Sequence, residues 1–318
     1  MTDHLEAWMQ SLRIRNFSPV TLRLYADQIK TFLDFLKRRD IADLRRVNQA
    51  LLQDYYLSLL QRTDPKSYSV PTLCVKVRSV KSLFRHLAAS SVLIVDPSVT
   101  LKEPKVVRLP RGVLTVAEVV KLLDLPDLST AEGVRDRAIL ETLYSAGIRL
   151  GELVRLTLPD LDLKEGLLMV RGKGDKDRVV PVGAVAVKFL TAYLTQARPG
   201  LLHRSHGKSN EARLWLNRWG SPLSGLLIQQ RIKGYGSVIG KPVSPHTLRH
   251  SCATHLLNNG ANLRLVQELL GHVRTATTQL YTRVTLTEVK QTHASLHPRS
   301  ADQPLDPFTV PTLRRYPA

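Results

Sequence analysis

Apolar residues recur at helical spacing through the first hundred positions. Ser18-Pro19 pairs a capping hydroxyl with a proline at the first helical position, and Leu22, Tyr25, Ile29, Phe32, Leu33 and Leu36 follow on one face with Arg23, Lys30 and Lys37 off it. A second amphipathic run spans Leu51 to Leu60. A third sets Leu73, Val77, Val80, Phe84 and Leu87 on one stripe and Lys76, Arg78, Lys81 and Arg85 outside it. These runs predict a small helical bundle. Between Pro97 and Gly112 three prolines and four basic residues interrupt any period, which predicts a linker over 102–112.

Beyond it, Thr115-Val116-Ala117-Glu118 has capping-box spacing and predicts a helix, as does Val134 to Ala146. The period then shifts toward two. Leu156 to Leu163, Leu167 to Arg171 and Arg178 to Val182 read as short strands, the last two joined by the polar turn 172–177. Helices return from Ser244, and five prolines after residue 297 predict a disordered tail over 298–318. The expectation is a mainly α protein with a small antiparallel β-sheet in its C-terminal domain. Its domains run over 1–101 and 113–297.

Composition agrees with two soluble domains: 318 residues, 43% hydrophobic and 23% charged. Two cysteines suit a reducing compartment, no apolar run approaches membrane-spanning length, and the start MTDHLEAWMQ carries acids where a secretory signal carries base. A cytoplasmic, nucleoid-associated protein with no membrane contact is expected. The formal charge of +19 adds something new. It divides as +6 over residues 1–101 and +13 over the remainder. Cations spread over two domains suit a polyanion enclosed between them, and double-stranded DNA, which rewards many phosphate contacts with counterion release, is the expected partner.

Several segments can carry chemistry. Ser244-Pro245 puts His246 and Arg249 one turn apart at a helix N-terminus, where unpaired N–H groups and the helix dipole favour phosphate and hold an imidazole neutral. Alone, this segment reads more readily as a capped helix with a solvated histidine and a surface arginine than as a site. A helix over Asn262 to Leu270 stops at Gly271, with His272 directly after it and Tyr281 nine residues on. Arg149 stands between Gly147 and Gly151 at a helix break.

Together, AGIRLGEL, RGKGDKDR, HTLRH, LLGH and the tyrosine nine residues later resemble, in order and spacing, the tyrosine recombinase (phage integrase) family, and within it the Xer-type recombinases. The resemblance runs from about residue 5 to about 297. It implies that Arg149 and Arg249 bind the scissile phosphate, Lys173 acts as general acid from the strand-turn-strand, His246 and His272 assist, and Tyr281 is the nucleophile. Lys176 is the nearest rival to Lys173. The family's reaction forms a 3′-phosphotyrosine linkage and reseals DNA without ATP. No carboxylate or Cys/His cluster has metal-ligand spacing, so no metal or other cofactor is expected. The resemblance further implies a two-domain C-shaped DNA clamp and a homo- or hetero-tetramer on paired sites. A helix opening at Thr285-x-x-Glu288, with Val289 and Leu296, docks on a neighbour in that scheme or packs on its own domain. A type IB topoisomerase and a catalytically idle DNA-binding protein are the alternatives. The stretch 198–213 and the tail beyond Pro298 depart from the chromosomal Xer pattern, which leaves chromosome dimer resolution and mobile-element exchange both open.

Overall fold

In the computed structural model the amino-terminal pattern becomes four helices, α1 (Thr2–Ile14), α2 (Pro19–Lys37), α3 (Gln49–Leu60) and α4 (Val70–Ala89). The structure describes residues 1–62, 67–105, 112–172, 177–204, 212–271 and 283–300, without the side chains of 283–285. The chain divides into two units, Met1–Leu109 and Pro110–Ala318. In the first, the side chains of Ser18, Asn48 and Ser69 accept backbone N–H bonds that begin α2, α3 and α4. Phe32 is fully buried and meets Tyr55 and Phe84 edge-on, with ring centroids 5.0 and 5.8 Å away. Helix α1, which the periodicity did not predict, closes this core with Trp8 and Leu12. Lys76 corrects the predicted polar face of α4. It is buried, donates to Thr31 Oγ1 at 2.8 Å and lies over the Tyr68 ring. Burial, then the charge of Arg62, lowers its pKa.

The second unit is built around a buried helix. It begins with α5 (Val116–Leu123), opened by the Thr115–Glu118 capping box, and continues with α6 (Ala131–Ala146), in which every residue but Glu132 is buried. Four charges on α6 are matched rather than solvated. Arg135 donates to Asp136 and the Leu216 carbonyl, and Arg137 to Glu141 and the Leu123 carbonyl. After the one-and-a-half-turn helix α7 (Leu150–Arg155) come β1 (Leu161–Asp162), β2 (Leu167–Arg171) and β3 (Asp177–Pro181), an antiparallel sheet in that order. Leu168 pairs with both Leu161 and Val180, and Leu168, Val170 and Val180 face the core. The predicted strand Leu156–Leu163 shrinks to two residues. Pro159, which has no N–H, sits in a 3₁₀ turn over Leu158–Asp160 whose Asp160 carboxylate takes the Thr157 N–H.

Helix α8 (Ala184–Ala192), a π-helical turn at Tyr193–Ala197 and α9 (Arg198–His203) then cover α6, and α10 (Gly225–Val238) follows. Next come α11 (Pro245–Asn258), α12 (Leu263–Leu270) and α13 (Arg283–Leu296). Of the two placements open for the last helix, the structure has α13 on its own unit. Val289, His293 and His297 are buried, and His293 Nε2 lies 2.8 Å from the Ser145 carbonyl. Arg299 forks onto Glu141, and the Ser300 carbonyl accepts from the Ala184 N–H, inside the span expected to be tail. Residues 301–318 lie outside the described residues. Among the described residues no helix is long and apolar enough to cross a membrane.

Because Phe32 is the meeting point of α2, α3 and α4, Phe32→Ala is expected to remove about 3–5 kcal/mol of stability. A urea titration followed by tryptophan fluorescence, which reports Trp8 in the same core, measures it.

Candidate functional site

Helix α6 ends at Gly147, whose φ of +58° is left-handed and whose missing side chain leaves room for α12. A Cβ there would stand 2.8 Å from Leu270 Cδ2. The chain restarts at once as α7, with Arg149 at its N-cap. Glu152, one turn on, accepts from the Arg149 backbone N–H at 2.8 Å and from Arg149 Nη1 at 2.9 Å. Arg149 Nη2 reaches the Gly271 carbonyl at 3.3 Å, yet the side chain remains 48% exposed. A backbone break, not helix periodicity, aims this cation.

Helix α11 begins as the sequence predicts. The Ser244 side chain accepts from the Thr247 N–H, Pro245 is the first helical residue, and His246 is exposed in the first turn. Arg249, one turn later, is only 4% exposed. Its Nη1 donates to the Gly147 carbonyl at 2.5 Å and its Nη2 to the Leu270 carbonyl at 2.6 Å. The carbonyls that α6 and α12 leave unpaired at their C-termini, where the helix dipole is negative, thus share one guanidinium. Burial, and after it the charge of Arg149, holds the Arg249 pKa down to about 10, so Arg249 is charged at neutral pH.

Two further residues belong here that sequence reasoning passed over. Arg178, buried on β3, forks onto Glu152 with Nη1–Oε1 at 2.9 Å and Nη2–Oε2 at 3.0 Å. Its Nε reaches the Leu269 carbonyl at 3.3 Å. The signal for Arg178 was strand parity, since it shares a face with Val180; the signal for Glu152 was its three-residue offset from an N-cap. Burial alone would raise the Glu152 pKa, but the Arg178 fork and the Arg149 N–H outweigh it and hold the carboxyl at about 2.

The structure therefore brings Arg149 and Arg249 to one turn, with His246 a helical turn from Arg249. Lys173, His272 and Tyr281 lie outside the described residues, as does Lys176. Three guanidinium groups face one carboxylate, which leaves two positive charges over. A guanidinium carries five N–H donors, and the two carbonyl bonds of Arg249 use two of them. This arrangement suits a phosphodiester held bidentately.

The Glu152 carboxylate is more acidic in the fold than in an unfolded chain, so it contributes stability above about pH 4.5 and loses it as pH falls toward 2. Glu152→Gln is accordingly expected to be less stable than wild type near pH 7, with the gap narrowing as pH falls through that window. Urea midpoints at stepped pH check the sign.

Residues 112–288 match the phage integrase family, and residues 5–90 match the phage integrase N-terminal SAM-like domain. The chain is 36% identical over 303 residues to the tyrosine recombinase XerD of Staphylococcus aureus, covering 94% of this chain and all of that protein. Among solved structures it is similar to the XerH site-specific recombinase bound to palindromic difH substrate, a post-cleavage complex, at 25% identity and a TM-score of 0.63 over 86% of this chain and 80% of that one. It also shares its fold with a lambda integrase (75–356) dimer bound to a COC′ core site, at 17% identity and a TM-score of 0.63 over 89% of this chain and 98% of that one. The cations gathered at the ends of α6 and α12 thus stand on a known scaffold, and the chain belongs to the phage integrase family, as a tyrosine recombinase of Xer type.

Proposed function

We propose that this chain is a site-specific DNA recombinase that cuts and rejoins strands through a 3′-phosphotyrosine intermediate. The observation that carries this reading is the pairing of Arg149 and Arg249 on the carbonyl ends of α6 and α12, in a chain related to XerD along nearly its whole length. Arg149 and Arg249 bind the scissile phosphate and offset charge as it builds on the non-bridging oxygens. The Tyr281 phenol attacks phosphorus, and the bond to the 5′-oxygen breaks. His246, exposed at the N-terminus of α11, accepts the phenol proton, and Lys173 gives a proton to the leaving 5′-oxygen; His272 adds a further donor to the phosphate. A phenolate leaves more readily than an alkoxide, so a second 5′-hydroxyl reverses the attack and the bond energy is conserved.

A strand must change partners for recombination, so the working form is a homo- or hetero-tetramer on paired sites, with both basic units contributing cations to duplex DNA. The amino-terminal helical unit supplies part of that grip, and the protein works in the cytoplasm at the nucleoid. Relaxation of supercoils without partner exchange, or binding without cleavage, is the weaker reading, because the likeness to a Xer recombinase extends through both units.

The test is a duplex whose site is selected from random DNA, nicked so that the short 5′-hydroxyl fragment diffuses away after cleavage. In EDTA, wild type is expected to accumulate a covalent protein–DNA adduct and Tyr281→Phe none. Arg149→Ala should form it about 10²–10³ times more slowly, the usual loss for one fixed donor to a charged transition state. An adduct in the Phe variant, or one that requires divalent metal, overturns the mechanism.

A further inference from the structure

The carbonyls of Leu269, Leu270 and Gly271, three successive residues at the end of α12, each accept from a different arginine: Arg178, Arg249 and Arg149 in turn. Two of these side chains are assigned to the phosphate by the reading above, on which this inference rests. We propose that the third, Arg178, is a positioning residue of the same centre: from β3 it clamps Glu152 and the end of α12 together, and so sets where Arg149 and Arg249 meet a phosphate.

The bonds of Arg178 support this role. Its guanidinium bonds recorded above go not to the neighbouring strand β2 but to Glu152 and the end of α12, which accept from the other two arginines. Glu152 takes both of its remaining bonds from Arg149, and the turn after Leu269 carries the acceptors of Arg249 and Arg149. Gly271 lets the plane come close: a Cβ there would stand 3.0 Å from Arg178 Cζ, in a backbone conformation with φ +66°. The Arg178 side chain is 6% exposed, against 48% for that of Arg149, so it is placed to hold the centre rather than to touch DNA.

Only a planar fork satisfies both Glu152 oxygens and a third acceptor at once. In Arg178→Lys the ammonium keeps the charge opposite Glu152 but cannot hold all three, whereas Arg178→Met removes the charge at similar volume. Charge on the non-bridging oxygens is the quantity that misplaced arginines fail to offset, and a methylphosphonate at the scissile position removes that charge from the substrate.

The experiment compares the full-length wild type, Arg178→Lys, Arg178→Met and Arg149→Ala on the selected site with either linkage, reading DNA affinity and the rate of strand cleavage. Both Arg178 variants are expected to bind DNA within about threefold of wild type, since backbone contacts spread over two units dominate affinity. On the phosphate linkage Arg178→Lys should cleave about 10-fold and Arg178→Met about 10²-fold more slowly. On methylphosphonate most of each deficit should vanish, as it should for Arg149→Ala. Thermal melts identify a variant that fails to fold, and Arg178→Lys then carries the comparison. If the Arg178→Lys deficit is absent, or is equal on both linkages while that of Arg149→Ala is relieved, Arg178 is only a structural partner and the proposal falls. If Arg149→Ala is not relieved either, the fault lies in the phosphate-binding reading itself.

Discussion

Like charges must be held close together here without a matching set of acids, and backbone carbonyls make that workable. Arg149 and Arg178 share one carboxylate, Glu152, while Arg249 donates to the Gly147 and Leu270 carbonyls at the ends of α6 and α12. A carbonyl at a helix C-terminus has no intrahelical partner and sits at the negative end of the dipole, so it stabilises a cation without neutralising it. Another carboxylate would hold the arginines more firmly but would cancel the field that a phosphate needs. Left-handed glycines stop both helices, Gly147 and Gly271, and a Cβ at either would press on Leu270 or on the Arg178 guanidinium.

The remainder of the second unit keeps those two helix ends in register. Because α6 is buried along nearly its whole length, its axis is fixed from several sides, by α8 and α11 in particular. Its polar residues add to that constraint. Ser145 takes the Gly183 N–H, Tyr144 lies 2.7 Å from His255 Nδ1, and Glu141 is gripped by both Arg137 and Arg299. Removing one member of such a buried pair costs about 3–5 kcal/mol, because the other is left charged and unmatched. Helix α13 joins the same set through His293, and detaching it would also expose the Ser145 carbonyl and Val289.

Features encoded over a few neighbouring residues were legible. The serine–proline starts of α2 and α11, the capping box of α5, the pair β2–β3 and the glycine stop of α12 each depend on local chemistry and stand where it puts them. Among the candidate site residues, the convergence of Arg149 and Arg249 was readable only through the resemblance, since exactness of contact between segments a hundred residues apart has no local signature. The buried charges that were missed have one cause. Arg135, Arg137 and Lys76 sit at helical positions that a charge normally assigns to solvent, and only tertiary partners reveal them as buried. Arg178 was hidden in the same way: a charge at an inward strand position reads as an exception until Glu152 is seen opposite it.

The centre is consequently under electrostatic load. Arg249 has its pKa lowered toward 10, which means that the charged form is less favourable in this fold than in water, and folding bears that difference at neutral pH. A bound phosphodiester reverses the sign: an anion beside Arg249 raises its pKa and removes repulsion from Arg149. On the proposed reading, affinity for phosphate would then draw on relief of that burial and repulsion as well as on contacts made on arrival. Because charge on the phosphoryl oxygens grows during attack, relief is greater in the transition state than in the ground state, which is the condition for binding energy to appear as rate.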